Sequence, residues 1–315
     1  MKRQRTLPAV SALLVLSLSL VLTSCGTATD TGSGSRSGSG SDDAASSADG
    51  LSHIHGVGTA GGALYVATHK GVYTPGPGGQ ARLVGDRQDD FMGFAVTARG
   101  TFLASGHPAP GSDAPADLGL IESTDRGASW TTKSLAGKVD FHALDTARST
   151  SRGAEDAAVF GYDATHGLLR ASRDGVAWED RAALRALDIA VSPGGPSSTA
   201  DRATVLATTE QGVVRSTDGG RTFGAPLSPQ VVAYVSWAAP DALFGVDPAG
   251  VLLRSGDAGT TWSRVSTVPG GAPQALTAVD ARRILAATQD GVYESADGGA
   301  TFTRRMTVTT SANGH

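Results

Sequence analysis

Six of the seven histidines in this chain fall between residues 53 and 166, at His53, His55, His69, His107, His142 and His166, and only His315 lies apart. Three short segments hold some of them in related settings: His53-Ile54-His55-Gly56, Asp90-Phe91-Met92-Gly93 and Asp140-Phe141-His142-Ala143. In an extended strand, residues i and i+2 share a face. His53 with His55, Asp90 with Met92, and Asp140 with His142 are therefore expected to point the same way. Neutral imidazole, thioether and carboxylate together suit a borderline transition metal. His with Met favours copper, and His with Asp favours zinc. The candidate ligands are His53, His55, His69, Met92, His107, His142 and His166, and the aspartates can instead fix imidazole tautomers by hydrogen bonding. A wet polar wall, or a pocket for an anionic or polar organic ligand, would use the same groups. Asp90, Asp140 and Glu210 are the carboxylates available for acid–base chemistry at hydrolase spacing.

The elements that must position these residues repeat. Ser216–Phe223 reads STDGGRTF, and near copies stand at Ser123–Trp130, Ser255–Trp262 and Ser295–Phe302. A worn copy at Ala171–Trp178 is read with Ala171 and Arg173 in place of Ser and Asp. Each copy follows a short apolar run opened by Gly. The chemistry is that of a turn: the Asp accepts nearby backbone N–H groups, Gly permits positive φ, and the final Trp or Phe anchors the turn in a core. Asp125, Asp218, Asp257 and Asp297 are thus structural residues.

The pattern S-x-D-x-G-x-[ST]-[WF] resembles the Asp box, or BNR repeat, of the sialidase-like β-propellers. The resemblance implies an all-β chain forming one propeller, with the boxes on the rim away from the axial site. It does not fix an activity, because proteins with Asp boxes include sialidases, other glycosidases, sorting receptors and assembly factors. The sialidase set of an arginine triad and a Tyr–Glu pair is not recognisable here. Of the glutamates, only Glu210 is placed for axial chemistry, and three of the four tryptophans are used in boxes.

Between Leu51 and Arg305 the paired β-runs number six, at about 42 residues each, the size of a four-stranded blade. Six blades are expected, with seven as the alternative. A strand ahead of each pair, at 53–59, 91–97, 141–146, 187–192, 231–238 and 274–279, would line the central channel. On that scheme the six histidines stand on one rim, over blades 1 to 3. The fingerprint-like Gly56-x-Gly58-x-x-Gly61 is followed by a strand, so it reads as a hairpin and not a dinucleotide site. The insertion 108–117 beside His107 is a rim loop suited to capping the channel or meeting a partner.

The N-terminus carries Lys2, Arg3 and Arg5 before an apolar stretch, Ala9–Leu22, too short to span a membrane. Leu22-Thr23-Ser24-Cys25 resembles the lipobox of bacterial lipoproteins, which implies a signal peptide at 1–24 and lipid on Cys25, the only cysteine. An ordinary cleaved signal with an incidental Cys is the other reading. Residues 25–50 are a Gly/Ser-rich tether, 51–305 the propeller, and 306–315 a disordered tail. The net charge is −4 with no basic stripe, which argues against nucleic acid as a partner. The expectation is a monomeric, extracytoplasmic, membrane-anchored binding protein using the His-rich rim for a small ligand, copper or zinc. A glycoside hydrolase, or a scaffold for an envelope protein, are the alternatives.

Overall fold

The computed structural model describes residues 51, 53–149, 156, 158–194, 199–228 and 230–308. The signal segment, Cys25 and the linker lie outside them, as do residues 309–315.

Among the described residues twenty-three strands form six antiparallel sheets, each built from one continuous stretch of chain. Blade 1 is β1 (Ile54–Ala60), β2 (Ala63–Thr68), β3 (Gly71–Pro75) and β4 (Ala81–Leu83). Blade 2 is β5 (Asp90–Val96), β6 (Phe102–His107), β7 (Leu120–Ser123) and β8 (Thr131–Ser134). Blade 3 is β9 (Phe141–Thr146), β10 (Val159–Asp163), β11 (Leu168–Ser172) and β12 (Trp178–Ala183). Blade 4 has β13 (Asp188–Val191), β14 (Val205–Thr209) and β15 (Gly212–Ser216). Blade 5 is β16 (Tyr234–Trp237), β17 (Leu243–Val246), β18 (Val251–Ser255) and β19 (Ser263–Thr267). Blade 6 is β20 (Pro273–Ala278), β21 (Ile284–Thr288), β22 (Gly291–Ser295) and β23 (Thr303–Thr307). The molecule is a six-bladed β-propeller.

Blade 4 departs from the others in its outermost strand. The chain after its Asp box runs beside β15, bonding through Gly224 N–H to Arg215 O and Leu227 N–H to Val213 O. Pro226 stands between those two donors and has no N–H, so the ladder is interrupted. The C-terminal boundary also moves. Met306 belongs to β23 and is 1% exposed, and Val308 packs beside it, so residues 306–308, expected in the tail, belong to the propeller.

The repeated S-x-D-x-G segments occupy the turns before the outermost strands, as the repeat implies. In the copy at 216, Ser216 Oγ donates to Asp218 Oδ1 (2.6 Å) and accepts Gly220 N–H (2.8 Å). Asp218 also accepts Thr222 N–H and Thr222 Oγ1. The boxes at 123, 255 and 295 repeat this arrangement. The worn copy corrects its alignment by one residue. Ser172 and Asp174 fill the roles assigned above to Ala171 and Arg173, and Gly175 N–H closes on Ser172 Oγ over a loop one residue shorter.

Neighbouring blades are tied by side chains bonding to backbone. Ser105 Oγ accepts Phe141 N–H, Asp145 Oδ2 accepts Val191 N–H, Asp188 Oδ2 accepts Val235 N–H, and Ser236 Oγ accepts Ala278 N–H. The ring closes where Thr277 Oγ1 donates to Val57 O and Gln274 Oε1 accepts Ile54 N–H. Among the described residues no strand is exchanged across that closure. Leu51, Ile54 and Val66 of blade 1 pack instead with Leu285, Val292 and Met306 of blade 6.

Candidate metal centre

Four of the six inner strands carry a β-bulge near their start. The ladder skips one residue at His55 in β1, Met92 in β5, His142 in β9 and Gln274 in β20. A bulged residue has no cross-strand partner, and the kink re-aims its side chain. All four line the central cavity, of about 330 Å³, together with residues of every inner strand. The expected pair Asp90 and Met92 is therefore split, Met92 lining the channel and Asp90 standing outside its lining, whereas the expected pair Asp140 and His142 stays in contact.

The aspartates are met by histidines from the turns between second and third strands. His55, His69 and Asp90 form one group, and His107, Asp140 and His142 a second. In each, one donor atom per residue lies within 4.8 Å of the others. In the first group, His55 Nε2 and His69 Nε2 face each other at 3.3 Å, and His69 Nδ1 lies 2.7 Å from Asp90 Oδ1. Burial and the neighbouring His69 hold the His55 imidazole down to about 4, so it is neutral near pH 7. In the second group, Asp140 Oδ2 lies 2.6 Å from His142 Nε2 and 3.5 Å from His107 Nε2. The hydrogen bond to Asp140 raises the His142 pKa.

Each group contains a carboxylate oxygen without a donor. Asp140 is 5% exposed, and its Oδ1 is buried with no hydrogen-bond partner among the described residues. Asp90 Oδ1 is buried likewise: the nearby His69 nitrogen is close enough but out of line for a hydrogen bond. A buried acceptor left unmatched costs about 1–3 kcal/mol.

The 108–117 insertion folds back on His107. Its Ala116 carbonyl sits 3.0 Å from His107 Nδ1, and Asp89 Oδ1 accepts Ala109 N–H. With Nδ1–H donated to that carbonyl, His107 Nε2 presents a lone pair toward Asp140.

The remaining candidates lie elsewhere. His53 is exposed, at φ 60°, with its ring edge-on to His69 at 4.9 Å. This left-handed conformation is uncommon for a residue with a Cβ. His166 joins neither group: its Nδ1 lies 2.8 Å from Asp163 Oδ2, which also accepts Arg170 Nε–H. His166 and Glu210 line a separate rim cavity over blades 3 to 5, so Glu210 does not face the channel with Asp90 and Asp140. Two channel carboxyls not singled out in the sequence are Asp145 and Asp188. Burial pushes them up to about 6 and about 7, against the hydrogen bonds they accept from backbone.

No family model matches the chain, and no curated protein matches it. Solved structures resemble it in fold. The GH74 xyloglucanase from Xanthomonas campestris aligns at 17% identity and TM-score 0.51, over 80% of this chain and 38% of that one. Virginiamycin B lyase from Staphylococcus aureus aligns at 10% identity and TM-score 0.50, over 81% and 84% of the two chains. The WD40 β-propeller domain of Doa1 gives 10% identity and TM-score 0.50, over 83% and 84%. The chain spans well under half of the GH74 enzyme's length. At these identities the likeness is one of fold, and it places this chain among proteins with β-propeller architecture.

Proposed function

We propose that the propeller is a binding protein that takes a transition-metal ion, zinc or copper, at the channel rim over blades 1 to 3. The observation that carries this reading is Asp140: a buried carboxylate with one oxygen lacking any donor among the described residues, set between His107 and His142. A cation bound by the two imidazoles would satisfy that oxygen and offset its desolvation. Met92, lining the cavity with His55 and His142, adds a thioether that favours copper. In the same reading the chain is an Asp-box propeller of the sialidase-like kind, held outside the cytoplasm by lipid on Cys25. No observation favours hydrolysis. Asp90 and Asp140 are each engaged by histidine, and Glu210 opens on another cavity.

The test is titration of the purified protein with Zn(II), Cu(II) and Cu(I), with metal content measured after dialysis. Tight binding that is reduced in His142→Ala, with the fold retained by circular dichroism, is the expected result. No retained metal under any condition would sink the proposal. Met92→Ala should weaken Cu(I) and spare Zn(II).

A further inference from the structure

Resting on the metal reading above, we infer that the rim holds two metal ions side by side, one in each His/Asp group, and not a single ion shared among the histidines. The two groups have no residue in common. They are built by the same device, one blade apart: the histidine at or just past the end of a blade's second strand meets the aspartate at or just before the start of the next blade's inner strand. His69 meets Asp90, and His107 meets Asp140. Each pair then gains a histidine from a bulge, His55 for the first and His142 for the second. Each also contains its own buried carboxylate oxygen without a hydrogen bond among the described residues, Asp90 Oδ1 and Asp140 Oδ1.

The dimensions suit separate ions. Two imidazole nitrogens bound to one tetrahedral zinc at its usual bond length stand roughly 3.3–3.4 Å apart, and His55 Nε2 and His69 Nε2 lie at 3.3 Å. The groups are nonetheless neighbours. Asp90 of the first and His107 of the second are directly opposed in the β5–β6 ladder, a pairing that sets their Cα atoms about 5 Å apart. Met92, from the bulge of the intervening blade, opens on the same cavity as His55 and His142. The device stops after two repeats. On blade 3 the corresponding His166 turns to Asp163 of its own blade, and Asp188 of blade 4 is bonded to the Val235 amide.

The experiment is a stoichiometric titration of the full chain with Zn(II), repeated with Cu(II) and followed by electron paramagnetic resonance. Wild type should bind two equivalents, and His69→Ala and His107→Ala one each. The double variant should bind none, and His69→Asn and His107→Asn serve as replacements should either alanine variant fail to fold. Cu(II)-loaded wild type should show spin–spin broadening that each single variant lacks. A single equivalent in wild type, abolished by either substitution, would mean one shared ion and overturn this inference while leaving the metal reading intact. Two equivalents retained in either single variant would also overturn it. No binding at all would remove both.

Discussion

Asp188→Asn should make the protein more stable at pH 8, and by a smaller amount at pH 5. Asp188 lines the channel and accepts Val235 N–H at 2.8 Å. Burial in the channel wall raises its pKa from 3.8 to about 7, with the Val235 and Ile189 amides pulling it partly back. Because the native-state value lies above the unfolded-state value, the native state binds more protons. This stabilising contribution is complete below pH 3.8 and is lost as pH rises through 7. At pH 8 the fully ionised carboxylate would cost about 4 kcal/mol at 1.36 kcal/mol per pH unit. The side chain is only partly buried, and solvent screening reduces the expected effect to about 2 kcal/mol. The asparagine oxygen still accepts the Val235 amide, so the substitution removes the charge and keeps the bond between blades. Urea denaturation of both proteins with a chelator present, at pH 8 and pH 5, reads the difference directly. A variant less stable at pH 8, or a difference equal at both pH values, would refute the reasoning.

Ser216→Ala leaves the buried Gly220 N–H without its acceptor and should cost about 1–3 kcal/mol in urea denaturation. In Gly93→Ala the new Cβ would stand 2.4 Å from Phe141 O, forcing β5 away from β9. The expected loss is about 1–3 kcal/mol, accompanied by weaker metal binding in the same preparation, because those strands carry Asp90, Asp140 and His142. Met306→Ala opens a cavity in the closure between blades 1 and 6 and should cost about 2–5 kcal/mol. Hydrogen exchange should then quicken first in β1 and β23.

The architecture was legible because the Asp box is a local motif. Its Ser, Asp and Gly bond within one turn, so spacing alone located the box turns. The inner strands followed from the intervals between boxes, with Asp90 and Asp188 falling within a residue of the expected starts. Bulges were not legible. Strict alternation gives no sign that the chain has one residue too many at His55, Met92 and His142, so it paired Asp90 with Met92 where the fold pairs Asp90 with His69. Contacts between blades were equally hidden: nothing near Asp140 in sequence announces His107, thirty-three residues earlier. Pro226 was visible, but its effect depended on knowing that Gly224 and Leu227 on either side of it had to donate to β15.

Because each blade is a single uninterrupted stretch and the ring closes through side chains, the two ends of the propeller meet at one seam. Leu51 and Val308 lie in the same cluster there. The order of blades along the gene is therefore separable from their order around the ring. Joining residue 308 to residue 51 and opening the chain between blades 3 and 4 would divide no strand, and would leave both histidine groups on one contiguous half. Propellers closed by a strand from each terminus lack this freedom, since any rearrangement must also preserve the shared blade. Here whole blades can be permuted or replaced as cassettes, provided the apolar faces on either side of each boundary still match.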